Sequence, residues 1–216
     1  MALLDAYANA AEYRARVGKV SIAEDATILT LLTSVSRVVE KRLGVMVGAF
    51  NTHSGVYVFD GTGRSLLRLR DRAGRQYFLT AITADSLKID SDLDGSYDDY
   101  TLDLSDAWVR GLPENAAAGS EPYTAIELRP LTSATITTFP NLPGCVQITG
   151  TFGWAAVPGA IKDRVVGITR ELIDVQHAGA AMLVSDVEGE IDRVPAARAL
   201  MSLLEREYSH RLPAFA

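Results

Sequence analysis

The spacing of apolar positions along the chain changes period twice, from helical to alternating and back to helical. Leu3 to Arg16 is alanine-rich and predicts a short helix ending near Gly18. Ser21-Ile22-Ala23-Glu24 has the form of a capping box, in which the serine bonds an orphan amide and the glutamate reaches back. Behind it, Ile28, Leu31, Leu32, Val35, Val38, Val39 and Arg42 recur at helical spacing, with Arg37, Glu40 and Lys41 mostly on other faces. Gly44 supplies the stop.

From about Val45 to Trp154 the period is two. Val56 to Phe59 predicts a strand, Asp60-Gly61-Thr62-Gly63 a hairpin turn, and Ser65 to Arg70 the returning strand. Tyr77 to Thr83, Ser86 to Ile89, Tyr97 to Leu104, Tyr123 to Leu128, Thr135 to Phe139 and Cys145 to Phe152 continue the series. Pro113 to Pro122, rich in Ala, Gly and Glu, is expected to be a mobile loop. Helical spacing then returns. Pro158 suits a first turn, and Ile161, Val165, Ile168, Leu172 and Val175 form a narrow apolar seam. Gly179 to Ile191 predicts a break, followed by a helix starting at Asp192 with Val194, Ala197, Leu200, Met201, Leu204 and Tyr208 on one face. The expected fold class is α+β: a helical bundle core from residues 1–44 and 155–216, with residues 45–154 inserted as an antiparallel β-sheet or small barrel.

Composition narrows the function. In 216 residues, 48% hydrophobic and 22% charged, there is enough material for a core without disulfides, and the single Cys145 has no internal partner. The net charge of −6, without a long block of lysines or arginines, argues against a clamp on nucleic acid. Nothing near Met1 resembles a signal peptide, and no run approaches the ~20 apolar residues of a membrane helix. A soluble protein made in the cytosol is expected.

The usual catalytic constellations are missing: no Gly-x-Ser-x-Gly elbow, no phosphate loop, no His-Glu-x-x-His. His53, His177 and His210 lie in three parts of the chain, and each, with Cys145, is more often structural than catalytic. Asp60-Gly61-Thr62-Gly63 lacks the third glycine and the following helix of a dinucleotide site. One motif is sharper. Asp90, Asp92, Asp94 and Asp98 around Gly95 match the first half of a calcium loop, with Thr101 where the bidentate glutamate would stand. The plain reading is an acidic β-hairpin whose aspartates favour the turn; the other is a structural cation, calcium, held by those four carboxylates. Paired acid–base catalysis by Asp90 to Asp99 has little support, because the cluster reads as uniformly solvated.

In this order the pieces resemble the head–tail connector (adaptor) proteins of long-tailed bacteriophages, over nearly the whole chain. Tyr7 to Arg16 is similar to the family's opening segment, and Asp25 through Glu40 to its first long helix. Val58 to Gly63 with Leu66 to Leu69 resembles its first hairpin, Asp90 to Leu104 its acidic hairpin, and Glu121 to Leu128 a following strand. Most telling is Val146 to Pro158, a strand leading through Gly153-Trp154 and a proline into the second long helix. Pro195 through Leu204 to Arg211 resembles the final helix and tail. Small members of the family are mostly helical, so the resemblance implies that the β-region is an enlarged insertion, expected to have a task of its own.

The resemblance implies a structural virion protein rather than an enzyme. It implies a homo-oligomeric ring, expected to be a dodecamer, in the neck between capsid and tail, assembled after synthesis in the host cytoplasm. The ring would dock on the portal protein, carry a downstream connector, stopper or tail-completion protein, and pass genomic DNA without sequence-specific binding or membrane contact. An acidic lumen would suit that passage. Tyr208, His210, Arg211, Leu212 and Phe215 are expected to order on docking to the portal, against the alternative of a frayed terminus. The competing reading is a calcium-dependent β-rich binding module.

Overall fold

A computed structural model of the protein describes residues 6–18, 24–102, 109–112, 121–129, 136–178 and 186–209. Among these are five helices and seven strands, all strand pairs antiparallel, so the fold is of the α+β class. Expectations for Leu3, Ser21 to Ala23, the end of the Tyr97–Leu104 strand, Pro113 to Ser120, Thr135 and Gly179 to Ser185 lie outside the described residues. The chain divides into two compact units, Met1–Val47 with Val157–Ala216, and Gly48–Ala156.

In the first unit, α1 (Ala10–Val17) starts later than its alanine content suggests. Asn9 sets the start: its side chain accepts the Glu12 amide at 2.8 Å, and Glu12 returns the bond to the Asn9 amide at 2.9 Å. This capping box is the one the described chain uses. The helix α2 (Asp25–Leu43) has no side-chain cap at Glu24, and closes on Gly44 in the left-handed conformation at φ 63°. Its buried face holds Ile28, Leu31, Leu32, Val35, Val39 and Leu43, with two polar residues, Ser36 and Glu40, buried among them. The spacing predicts Glu40 on another face; it is drawn in because Tyr7 supplies its hydroxyl as a partner.

Pro158 stands immediately before α3 (Gly159–His177), where its missing amide costs nothing. The seam Ile161, Val165, Ile168 and Leu172 is fully buried. The predicted break to Ile191 is partly wrong: α4 (Val187–Arg193) forms there, capped by Asp186 on the Gly189 amide at 3.1 Å, and α5 (Pro195–Ser209) begins at Pro195 rather than Asp192. The acidic residues of this link have structural partners. Glu188 meets Lys41 at 2.5 Å and Arg42 at 3.3 Å, Asp192 meets Arg42 at 2.7 Å, and Glu190 is buried beside Arg193 at 3.0 Å. The Glu188 and Asp192 pairs tie α4 to α2, the Glu190–Arg193 pair lies within α4, and α5 packs on α2, α3 and α4.

In the second unit, β1 (His53–Phe59), β7 (Val146–Phe152), β3 (Leu79–Ile89) and β4 (Tyr100–Leu102) form one sheet in that order, and β2 (Leu66–Arg68), β6 (Ala125–Leu128) and β5 (Val109–Leu112) a second. The predicted β1–β2 hairpin is therefore not formed. All seven residues of β1 pair with β7, from His53↔Phe152 to Phe59↔Val146, and Asp60 to Gly63 carries the chain from one sheet to the other. Gly61 is needed there because a Cβ would stand 1.9 Å from the Pro140 carbonyl oxygen. The two predicted strands at Tyr77–Thr83 and Ser86–Ile89 are one bulged strand, β3, and Ile136 to Phe139 is not a strand. A shared core joins the sheets, including Phe59, Leu67, Leu69, Leu87, Ile126, Phe139, Ile148 and Phe152. At ~1.5–3 kcal/mol for each large apolar side chain withdrawn from water, this core dominates the unit's stability.

Candidate functional site

The strands β3 and β4 pair through Leu87↔Leu102, Lys88↔Thr101 and Ile89↔Tyr100, so Asp90 to Asp99 is a hairpin loop. Thr101 therefore sits on a strand opposite Lys88 and not at the end of a calcium loop. Asp90 is buried, and its carboxylate accepts the amides of Leu93 at 2.6 Å and Gly95 at 3.0 Å, while its own amide donates to the Cys145 carbonyl at 2.9 Å. Asp92 accepts the Asp94 amide at 3.1 Å and Asp94 the Ser96 amide at 2.7 Å, two successive side-chain turns. Asp99 closes the loop, accepting both the hydroxyl and the amide of Ser91 at 2.6 Å, and these bonds hold its carboxyl below the usual range. Leu93 and Gly95 take left-handed backbone at φ 61° and 89°.

This folding regroups the carboxylates. Asp90, Asp92 and Asp99 bring ligand oxygens within 4.8 Å of one another; Asp94 and Asp98 stand outside that group. The donor chemistry suits a hard cation such as calcium, but three side chains offer a minority of the six to eight oxygens such an ion takes. The same three carboxylates already organise the loop through its amides.

The histidines and the cysteine are not brought together. His53 bonds the Asn51 carbonyl oxygen and the Tyr57 hydroxyl, each at 3.1 Å, and stacks on Phe152. Cys145 adjoins the opposite end of the β1–β7 ladder, six residues or about 20 Å along the strands. It is buried against the Pro140 carbonyl, and burial pushes its thiol pKa up, away from nucleophilic use. His177 is exposed at the end of α3, and His210 lies outside the described residues.

The structure adds an arginine-rich stretch, Arg64 to Arg75, in which two of the arginines pair with carboxylates. Leu67 and Leu69 are buried, whereas Arg64, Arg68 and Arg72 are exposed and Arg70 is half-buried. Arg72 grips Asp60 through Nε and Nη2 at 3.1–3.2 Å. That pair and the Gly144 amide at 2.6 Å hold the Asp60 carboxyl below its usual range. Arg75 pairs with Asp71 at 2.7 Å, and Arg70 donates to Gln76 at 3.1 Å. Asp60, Arg70, Asp71, Arg72 and Arg75 border an open groove of about 470 Å³ with Val58 and Gly144 at its wall.

Of the tail expected to meet a partner, Tyr208 is 2% exposed, so its ring belongs to the packing of the first unit and is not available for docking. His210, Arg211, Leu212 and Phe215 lie outside the described residues. No described helix is long and apolar enough to cross a membrane. No known family model matches the chain, and no curated protein is significantly similar to it.

Proposed function

We propose that the protein is a non-enzymatic subunit of a connector ring in the neck of a long-tailed bacteriophage. It docks on the portal, holds the next connector or tail-completion protein, and leaves a lumen for genomic DNA. The carrying observation is the order of the elements. Two helices precede an inserted β-rich unit, and β7 runs through Gly153, Trp154 and Pro158 into the long helix α3, followed by α4 and α5. This is the order on which the resemblance to connector proteins rests. A ring of twelve copies, virion location and docking through the residues after Tyr208 belong to the same reading.

A second reading, a calcium-dependent binding module, has the trio Asp90, Asp92 and Asp99 in its favour. It is the weaker one, because backbone amides already bond carboxylate oxygens of all three.

Negative-stain electron microscopy of the chain mixed with the portal ring of the same virus tests the proposal. A symmetric collar at the narrow end of the portal, lost when residues 209–216 are deleted, is the expected result. A collar that survives the deletion keeps the ring and overturns the tail as its docking surface. No collar with the intact chain overturns the portal-adjacent position.

A further inference from the structure

The chain contains two Asp-Gly pairs, Asp60–Gly61 and Asp94–Gly95. At such a pair the glycine nitrogen can attack the carboxyl of the preceding side chain, because glycine has no Cβ to crowd the approach. The fold holds the two pairs in opposite ways. Arg72 and the Gly144 amide at 2.6 Å keep the Asp60 carboxyl below its usual range, and so ionised and a poor target for attack. The Gly61 amide donates to the Leu142 carbonyl oxygen at 2.8 Å, and a Cβ there would stand 1.9 Å from the Pro140 carbonyl oxygen, so this link is tightly packed.

Asp94 and Gly95 are exposed in the hairpin loop, and beyond its chain neighbours nothing lies within 4 Å of where a Gly95 Cβ would stand. The Gly95 amide donates to Asp90 Oδ2 at 3.0 Å, within the reach of a general base. Asp90 is buried, and its other oxygen accepts the Leu93 amide at 2.6 Å, so this base is fixed in place. The Ser96 amide donates to Asp94 Oδ1 at 2.7 Å. That bond spans the Gly95 peptide and sets a donor on the oxygen where charge develops during attack.

From this arrangement we infer that Asp94–Gly95 is a self-modification site that converts to an isoaspartyl linkage, with Asp90 as the base. The Gly95 nitrogen attacks Cγ of the protonated Asp94 side chain, and a C–N bond forms. Asp90 takes the amide proton and passes it to the departing hydroxyl, which leaves as water. Water then adds to the Asp94 backbone carbonyl of the cyclic imide, and the bond from that carbonyl to the Gly95 nitrogen breaks. The chain now runs through Asp94 Cγ and is one carbon longer, with an α-carboxylate in place of the side-chain carboxylate. Mass and charge are unchanged, and the Asp94–Ser96 turn is lost. The inference is independent of the connector reading, because it needs no partner.

Prolonged incubation of the full chain at neutral pH, folded and in denaturing urea, tests it. Trypsin releases the pairs on separate peptides, Leu43–Arg64 and Ile89–Arg110, and electron-transfer mass spectrometry identifies the isoaspartyl form in each. In urea the two pairs are expected to convert at similar rates. In the folded chain Asp94 is expected to convert faster than in urea, and Asp60 at least about tenfold more slowly than Asp94. Asp90→Asn is expected to slow the folded-state conversion of Asp94 at least about tenfold and to leave its rate in urea unchanged. A folded-state rate at Asp94 equal to or below its rate in urea overturns the assignment, whatever the variant does. A wild-type rate in folded Asp90→Asn overturns Asp90 as the base.

Discussion

The hydroxyl of Tyr7 donates to the carboxylate of Glu40 across 33 residues of chain, and both side chains are buried. The Tyr7 amide bonds the Ser36 hydroxyl at 3.1 Å, and Arg37 meets Glu40 at 2.9 Å with its guanidinium 5.7 Å from the Tyr7 ring centroid. The segment before α1 is thus latched to α2 by a polar cluster inside an apolar face. Tyr7→Phe keeps the ring and removes the donor, so it is expected to cost about 1–3 kcal/mol. Glu40→Ala removes the anion that offsets Arg37 and is expected to cost more, about 3–5 kcal/mol. Urea unfolding midpoints measure both. A Tyr7→Phe loss below about 0.5 kcal/mol would show that the hydroxyl is dispensable to Glu40.

Gly153 links β7 to Trp154 with φ at 92°, a conformation L side chains avoid, and a Cβ there would stand 2.0 Å from the Asn51 carbonyl oxygen. Its amide donates to the Phe78 carbonyl at 2.8 Å, and its carbonyl accepts the Thr80 hydroxyl. Strain and overlap act together, so Gly153→Ala is expected to destabilise the β-rich unit by about 2–4 kcal/mol. Hydrogen exchange of β7 and β3 amides in the variant reads the effect directly. Protection equal to wild type would mean the backbone relaxes without cost.

Legibility in the sequence follows the range over which the information is local. The seam Ile161 to Leu172 and the α2 face from Ile28 to Leu43 are readable because burial repeats at the helical period within one segment. Partnering is not readable. Val56 to Phe59 and Ser65 to Arg70 have the composition of a hairpin, yet β1 takes β7 from nearly 90 residues away, and no local signal encodes that choice. The Asn9–Glu12 capping box is hidden because alanines on both sides favour helix equally. The acidic loop is recognisable, but calcium-loop spacing groups its carboxylates wrongly. A hairpin brings Asp99 back across to Ser91 and leaves Asp94 and Asp98 aside.

Acid should loosen α1 before the rest of its unit. The Lys162 ammonium, hydrogen-bonded at 2.6 Å, holds the Glu12 carboxyl below its ordinary 4.5. A carboxyl whose pKa is lower in the fold takes up its proton more readily when unfolded. Its contribution is therefore complete above about pH 4.5 and is lost as the pH falls through the lower folded value. With both side chains about a quarter to a third exposed, that contribution is about 0.5–1 kcal/mol. Thermal melts of wild type and Glu12→Gln should differ at pH 6 and converge toward pH 3. Parallel curves across that range would mean the Glu12–Lys162 pair adds nothing.

Asp90 decides between a self-contained hairpin and a cation site. Its two oxygens accept the amides of Leu93 and Gly95, so Asp90→Asn must present an amide group to one of those donors. A loss of about 1–3 kcal/mol follows. Asp92 is exposed and accepts one amide, so Asp92→Asn should stay within about 0.5 kcal/mol. Calcium provides the independent check. A site of the weak extracellular kind, with Kd of about 0.1–1 mM, would stabilise the protein by about 1–2.3 kcal/mol in about 5 mM calcium. Because three side chains are few for calcium and loop amides already bond each of them, the shift between calcium and a chelator is expected to be below about 0.5 kcal/mol, the ordinary reach of a surface change. A larger shift, abolished by Asp90→Asn, would make the hairpin a cation site and raise the binding-module reading above the connector.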